Sequence, residues 1–229
     1  MVELGHADGL LNGISQSYPD TLRPAIEVIG AKSGSRLAGI YMMIFKKRVL
    51  WFADTTVNIE PSVEELSDIA IQTADLARRF MVEEPRVAML SFSNFGSNSH
   101  PFALRMKEAT QLIKKREPGL IVDGEMQADT ALHAEISKES FPFNQVPGNA
   151  NVLIFPDLQS GNIAYKLMAR MGSAEAIGPI LVGMNKPVFV LQQNSDVNDV
   201  VNMAAITAME IRLRKEGKST HVKESHIQS

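Results

Sequence analysis

The 229-residue sequence has no cysteine, which removes disulfides and thiolate chemistry and fits a reducing, cytoplasmic setting. It has no excess of one charge: 23 basic against 26 acidic side chains leave a formal net charge of −3. That balance gives no electrostatic footprint for a nucleic acid or an acidic membrane surface. No apolar run reaches the roughly 18 residues a spanning helix needs, and no signal-peptide pattern opens the chain. Also missing are the P-loop spacing, the Rossmann fingerprint and Gly-x-Ser-x-Gly. The five histidines (His6, His100, His133, His221 and His226) show no ligand spacing, and there is neither internal repeat nor linker. What remains is an α/β composition, 45% hydrophobic and 21% charged, in a chain long enough for a sizeable core.

The chain is organised around residues 151–183. Asn151 to Phe155 is a short apolar run stopped by Pro156 and Asp157, the pattern of a strand buried on both faces. After a polar turn at Ser160 and Gly161, a helix is expected whose apolar stripe is Ile163, Ala164, Leu167, Met168 and Met171, with Gly172 as its stop. The apolar segment from Ile177 to Gly183 is broken by Gly178 and Pro179, so it reads as a loop whose backbone can approach a ligand. Strand, turn, helix and loop would then form a crevice at the carboxyl end of an open α/β sheet.

On either side, residues 9–14 read as a short strand. Asp20 or Thr21 is the expected cap of a helix carrying Arg23, which is either solvated or reserved for an anion, because the helix dipole disfavours a cation there. Residues 37–45 and 49–53 flank the basic turn Lys46-Lys47-Arg48 and read as a hairpin. Both faces of its first arm are apolar and need cover: one meets the helices of its own domain, and the other meets either a second subunit or, as in an ordinary central strand, the same domain. Ser62 and Glu65 form a capping box at the start of a long helix. The loop after the strand at 87–91 holds Ser91, Ser93 and Asn94, and reads either as a mobile surface loop or as an anion cradle. A basic amphipathic helix over 101–116 and a strand at 120–122 follow. Asp123, Glu125 and Asp129 lack the supporting ligands of a metal site, and Asp123-Gly124 reads as a turn, so no metal is expected. A helix at 130–138, a strand at 187–191 and a helix at 197–214 complete the pattern, with a polar tail over 215–229 read as frayed.

The wording of several stretches is specific as well. GHADGLLNG, DTLRPAIEVI, ADTTVNIEPSVEELSDIAIQTA, RVAMLSFS, VDGEMQADTAL, PDLQSGNIAYKLMARM and AEAIGPILVGMNKP occur in this order. Together they resemble the phosphate acetyl/butyryltransferase family over nearly the whole chain. The resemblance implies a layered α/β sheet flanked by helices, in the two-domain isocitrate/isopropylmalate dehydrogenase-like fold of phosphotransacetylases. It places residues 1–183 in one domain and returns residues 184–214 to a first domain whose N-terminal segment this chain lacks, so that Met1-Val2-Glu3 resembles a cut within a longer protein. It also implies a homodimer contact around residues 37–45.

In the family an aspartate deprotonates the thiol of CoA, arginines hold the phosphate, and a serine steadies the developing charge. The resemblance puts that aspartate at Asp199 and the phosphate or CoA contact at Arg23. It turns the Ser91–Asn94 loop toward the cleft, with Gly178 and Pro179 lining it and Tyr165 and Lys166 as neighbours. The family's Ser-Arg-Gly falls on Gln192, Gln193 and Asn194, and glutamine brings no charge to a phosphate. That loss makes the main expectation an inactive regulatory domain. On this reading it belongs to the C-terminus of an NADP-dependent malic enzyme, binds acetyl-CoA and builds a homo-oligomer, while NADP and a divalent metal bind only in a missing N-terminal half. The alternatives are a genuine phosphate acetyl/butyryltransferase and a stand-alone inactive CoA-binding protein.

Overall fold

The computed structural model describes residues 1–193 and 195–216; most of the expected polar tail therefore lies outside the described residues. Eight strands form one mixed sheet: β1 (Leu10–Gly13), β2 (Ala38–Phe45), β3 (Arg48–Ala53), β4 (Arg86–Leu90), β5 (Ile121–Met126), β6 (Val152–Ile154), β7 (Glu175–Val182) and β8 (Val188–Leu191). Their spatial order is β1-β8-β7-β2-β3-β6-β4-β5. β2 and β3 pair antiparallel as the expected hairpin, though the turn is only Lys46 and Lys47 because Arg48 already pairs with Phe45.

Helices cover both faces. α2 (Val63–Phe80), α3 (Pro101–Arg116) and α7 (Val197–Lys215) lie on one. α1 (Tyr18–Ile29), α4 (Ala128–Leu132), α5 (Ala134–Ser140) and α6 (Leu158–Met171) complete the chain, and α1, α4 and α6 pack on the other face. Strand alternation sets this division. Ile40, Trp51, Phe189 and Leu191 pack with α2, α3 and α7, whereas Tyr41, Met43 and Phe52 pack with α6, and Val188 and Val190 with α1. No helix among the described residues is long and apolar enough to cross a membrane.

Local chemistry explains most element ends. Ser62 and Glu65 make the reciprocal bonds of the capping box. Ser17, rather than Asp20 or Thr21, caps α1, because Pro19 fits the first turn and Asp20 donates its backbone N–H to Ser17. The helix expected at 130–138 is two, broken at His133.

Four expectations fail for tertiary reasons. Asp123 and Gly124 form no turn; both lie inside β5, where pairing with β4 continues through a register shift at Met89 and Leu90. Ser160 and Gly161 lie inside α6, which Asp157 caps. Glycine is needed there because a Cβ on Gly161 would sit 2.3 Å from the Asp54 carbonyl oxygen. Gly178 and Pro179 form no loop; they bulge within β7 opposite Tyr41, where Ile40 pairs with Ile180 and Met42 with Ile177. A side chain on Gly178 would strike the Tyr41 ring.

The fourth concerns α6, whose expected buried stripe is largely outside. Ile163, Leu167 and Met171 are 52%, 47% and 79% exposed, while Gly161 and Tyr165 are buried. β2, by contrast, has each face covered by the chain's own elements, so its first arm offers no free face to a second subunit.

Candidate functional site

Strand direction decides which of the expected site residues can meet. β8 runs parallel to β1 and antiparallel to β7, and β7 is antiparallel to β2. β2 is antiparallel to β3, which runs parallel with β6, β6 with β4, and β4 with β5. The carboxyl end of β8, which delivers Gln192, therefore opens at the opposite end of the sheet from the carboxyl end of β4, which delivers Ser91. Five strand spacings also separate them in the sheet order, roughly 24 Å. One cleft lined by all the expected residues does not form in this chain.

At the β8 corner the structure gathers Gln192, Tyr165, Lys166 and Asp199, and adds Tyr41, which sequence reasoning missed. The Gln192 Nε2 amide donates to the Tyr41 hydroxyl at 2.8 Å and to the Tyr165 hydroxyl at 3.3 Å. The two tyrosine rings stack with centroids 4.0 Å apart and 13° between planes. Burial pushes the Tyr41 hydroxyl well above the usual tyrosine range, helped by Tyr165, Tyr18 and the negative charge of Asp199. It is a neutral hydroxyl at any working pH. Tyr18, at the start of α1, is raised too, again chiefly by burial. Its hydroxyl lies beside Thr56 Oγ1, and neither atom has a well-formed hydrogen-bond partner. All three tyrosines of the chain thus converge on one patch. A sequence signal for this was the position of Tyr41, an aromatic hydroxyl on the pleat face of an otherwise apolar strand.

The turn from β8 to α7 is fixed by Ser195, whose Oγ accepts from the Gln192 N–H at 3.1 Å and whose N–H donates to the Gln192 carbonyl. Gln193 is exposed. Asp199 forms a capping box with Asp196: each carboxylate accepts the other's backbone N–H, at 2.9 and 3.0 Å. Lys166 Nζ lies 5.2 Å from the centroid of the Tyr165 ring, over its face. Gly178 and Pro179 back Tyr41 from β7 without presenting a free edge. Arg23 points outward from α1 and makes no ion pair among the described residues.

The β4 corner is closed on itself. Ser93 is fully buried, and its Oγ donates to Glu125 Oε1 at 2.8 Å. The Gly96 N–H donates to the same oxygen at 2.7 Å. Ser91 donates its N–H to the Met126 carbonyl, and Asn94 Oδ1 accepts from the Gln127 N–H. The segment is an exposed loop at Phe92 and from Gly96 to His100, whereas the buried Ser93 hydroxyl and the Gly96 N–H turn to a carboxylate of the chain's own instead of facing an open anion cradle. Asp123 is held by Lys114 at 2.6 Å and by the Gln145 N–H, so it is turned away from Glu125's bonding partners.

Comparison with known proteins agrees with the resemblance and corrects its finer reading. The phosphate acetyl/butaryl transferase family profile matches residues 1–208. A phosphate acetyltransferase of Clostridium acetobutylicum is 42% identical over 213 residues, 90% of this chain and 64% of its own. Another, of Paracoccus denitrificans, is 42% identical over 218 residues, 92% of this chain and 69% of its own. Among solved structures, a phosphotransacetylase from Streptococcus pyogenes has a TM-score of 0.88 at 42% identity, covering 92% of this chain and 65% of that one. The chain spans just under two thirds of the length of several such relatives. The malic-enzyme expectation, with its oxidoreductase and NADP terms, is overturned: the similar proteins are named phosphate acetyltransferase. The expectation of an inactive regulatory segment finds no support among these relatives, which are named as enzymes.

Proposed function

The chain belongs to the phosphate acetyl/butaryl transferase family, and on that premise we propose that it moves an acyl group between an acyl phosphate and the thiol of CoA. The observation that carries this reading is the extent of the match, which runs through residues 1–208 and so through the turn that brings Gln192 to Asp199. Asp199 takes the thiol proton. The sulfur then attacks the acyl carbon, the bond from that carbon to the phosphate oxygen breaks, and phosphate leaves with the electron pair. Tyr41 and Tyr165, whose hydroxyls accept from Gln192, supply neutral donors beside the developing oxyanion. Because Gln192 and Gln193 carry no charge, turnover is expected about 10²–10³-fold below that of an enzyme with a charged clamp at this turn.

The test is thioester formation from CoA and acetyl phosphate by the purified chain, with Asp199→Asn as the paired variant, whose remaining oxygen still accepts the Asp196 N–H. Turnover above the uncatalysed rate, falling about 10²-fold or more in the variant, is the expected result. A folded chain that gives no thioester with both substrates saturating would sink the proposal.

The reading includes a homodimer, supported by the apolar stripe of α6 and its neighbours. Ile59, Phe102, Leu158 and Ile163 line an open cleft of about 680 Å³ beside that stripe, and a ridge next to a groove suits an isologous contact. Light scattering that returns only the 25.2 kDa monomer at micromolar concentration would set the dimer aside.

A further inference from the structure

Among the described residues, three side chains accept a hydrogen bond from the backbone N–H of the residue that follows them. Asn12 accepts from Gly13 at 2.8 Å, Asp123 from Gly124 at 3.1 Å and Asp129 from Thr130 at 2.8 Å. Such a contact brings a backbone nitrogen up to a side-chain carbonyl carbon. With a C=O bond of about 1.2 Å, the Gly13 nitrogen lies within about 4 Å of Asn12 Cγ. An ionised aspartate is a poor electrophile, and Asp123 is also buried and held by Lys114. Asn12 offers a neutral carboxamide, which can lose ammonia. It is the one asparagine of the sequence that precedes a glycine, so no Cβ crowds the attacking nitrogen.

The fold leaves this pair open on one side and tight on the other. β1 lies at the edge of the described sheet, and Asn12 is exposed. The Leu10 N–H donates to the Pro187 carbonyl of the strand beside it. By alternation along the strand, the Gly13 N–H faces away from β8 and meets the Asn12 side chain in place of a ladder partner. On the β8 side there is no slack: Gly13 is paired with Leu191, and a Cβ on Gly13 would stand 2.3 Å from the Leu191 carbonyl oxygen. Leu191 is the residue before Gln192.

We propose that Asn12 is a site of spontaneous deamidation, and that its isoaspartyl product breaks the β1–β8 pairing that leads into the Gln192 turn. The Gly13 nitrogen gives its proton to solvent base and forms a bond to Asn12 Cγ. The bond from Cγ to Nδ2 then breaks, and ammonia leaves with the electron pair and a proton. Water opens the resulting five-membered imide at either carbonyl. Opening at Cγ gives aspartate; opening at the backbone carbonyl gives isoaspartate, in which the main chain runs through the side chain and gains one carbon. That carbon falls between the residues paired with Val190 and Leu191. The modification does not depend on the acyl-transfer reading.

The experiment holds the full folded chain at mildly alkaline pH and follows the tryptic peptide of residues 1–32, in which Asn12 is the only asparagine. A synthetic peptide of residues 9–17 gives the rate without a fold. Asn98 is the internal control, because its Oδ1 accepts from the His100 N–H and not from that of Ser99. Asn12 in the folded chain should convert at least as fast as in the peptide and at least about tenfold faster than Asn98. Asn12→Ser should abolish the mass change in that peptide. A folded chain that converts more slowly than the peptide would show that the strand protects Asn12, and would overturn the inference. Asn12→Asp carries the new charge without the added carbon. The isoaspartyl form, purified by chromatography, should melt about 2–4 °C below it, the loss of roughly one ladder hydrogen bond. Coinciding midpoints would overturn the effect on β8. Both readouts hold whether or not the chain turns over acetyl phosphate, so failure here and failure of the acyl-transfer reading are separate results.

Discussion

Two corners of one sheet hold similar inventories of hydroxyls, amides and carboxylates, and they put them to opposite uses. At the end of β4, Ser93 and Gly96 both donate to Glu125 Oε1, Ser93 has no accessible surface, and Glu125 Oε2 is buried without a partner among the described residues. At the end of β8, Gln192 is tied to two tyrosines while Lys166, Arg170 and Gln193 are left exposed. A polar loop is therefore a binding site only to the extent that its donors and acceptors exceed what its own backbone consumes. Counting serines and asparagines pointed to the β4 loop; the surplus lies with the β8 turn and α6.

If the β4 corner is structural, breaking it should cost stability and spare chemistry. Glu125→Ala removes the acceptor shared by the buried Ser93 hydroxyl and the Gly96 N–H. A loss of about 3 kcal/mol is expected, or about 6–12 °C in thermal midpoint for a chain of this size. Thioester formation per folded molecule should be unchanged. A folded Glu125→Ala chain with lost turnover would show that the corners are coupled.

The β8 corner makes the next largest effect, and it is pH-dependent. Tyr18 and Tyr41 titrate well above the ordinary tyrosine value of 10.0, chiefly because burial disfavours the phenolate. Above pH 10 the unfolded chain releases those protons and the folded chain retains them, so the unfolded state binds fewer and stability falls as pH rises. Below pH 10 the contribution is fully present. Each tyrosine should add up to about 1.4 kcal/mol of loss per pH unit. Denaturant midpoints between pH 9 and 11 should flatten in Tyr18→Phe and Tyr41→Phe relative to wild type; parallel curves would mean that the hydroxyls are not sealed from water.

The smallest effect sharpens the contrast most. Gln192→Ala removes one good and one long hydrogen bond at a half-buried position, worth about 1 kcal/mol, against the larger loss at Glu125. A thermal shift as large as that of Glu125→Ala would make the β8 corner structural too, and would weaken its assignment as the open site.

Much of this is legible in the sequence alone. The capping box at Ser62, the hairpin about Lys46 and Lys47 and the short strand at 152–154 follow from short-range chemistry, because caps and turns are settled within a few residues. Gln192 and Asp199 came from the wording of the sequence rather than from spacing. The errors share one cause. A stripe of Ile163, Leu167 and Met171 reads as a core face, since helical period reports that a face is apolar and not what covers it. Gly178 and Pro179 read as a loop because local propensity cannot see the ring of Tyr41 that they pass. Asp123 and Gly124 read as a turn because the pairing of β5 with β4 lies outside any short window.

By itself, then, the sequence determined that the chain is an α/β protein, where most of its helices and every strand except β7 and the end of β5 lie, and which family it belongs to, since these rest on local periodicity and residue order. Only the tertiary structure decided that Ser91 and Gln192 stand at opposite ends of the sheet, that Tyr18, Tyr41 and Tyr165 meet, and that Glu125 absorbs the polar loop. Those facts depend on strand order and direction, which couple residues more than a hundred positions apart, as Gln192 is from Tyr41. No local pattern carries that information, because the free energy of such contacts appears only once the sheet has closed the distance between them.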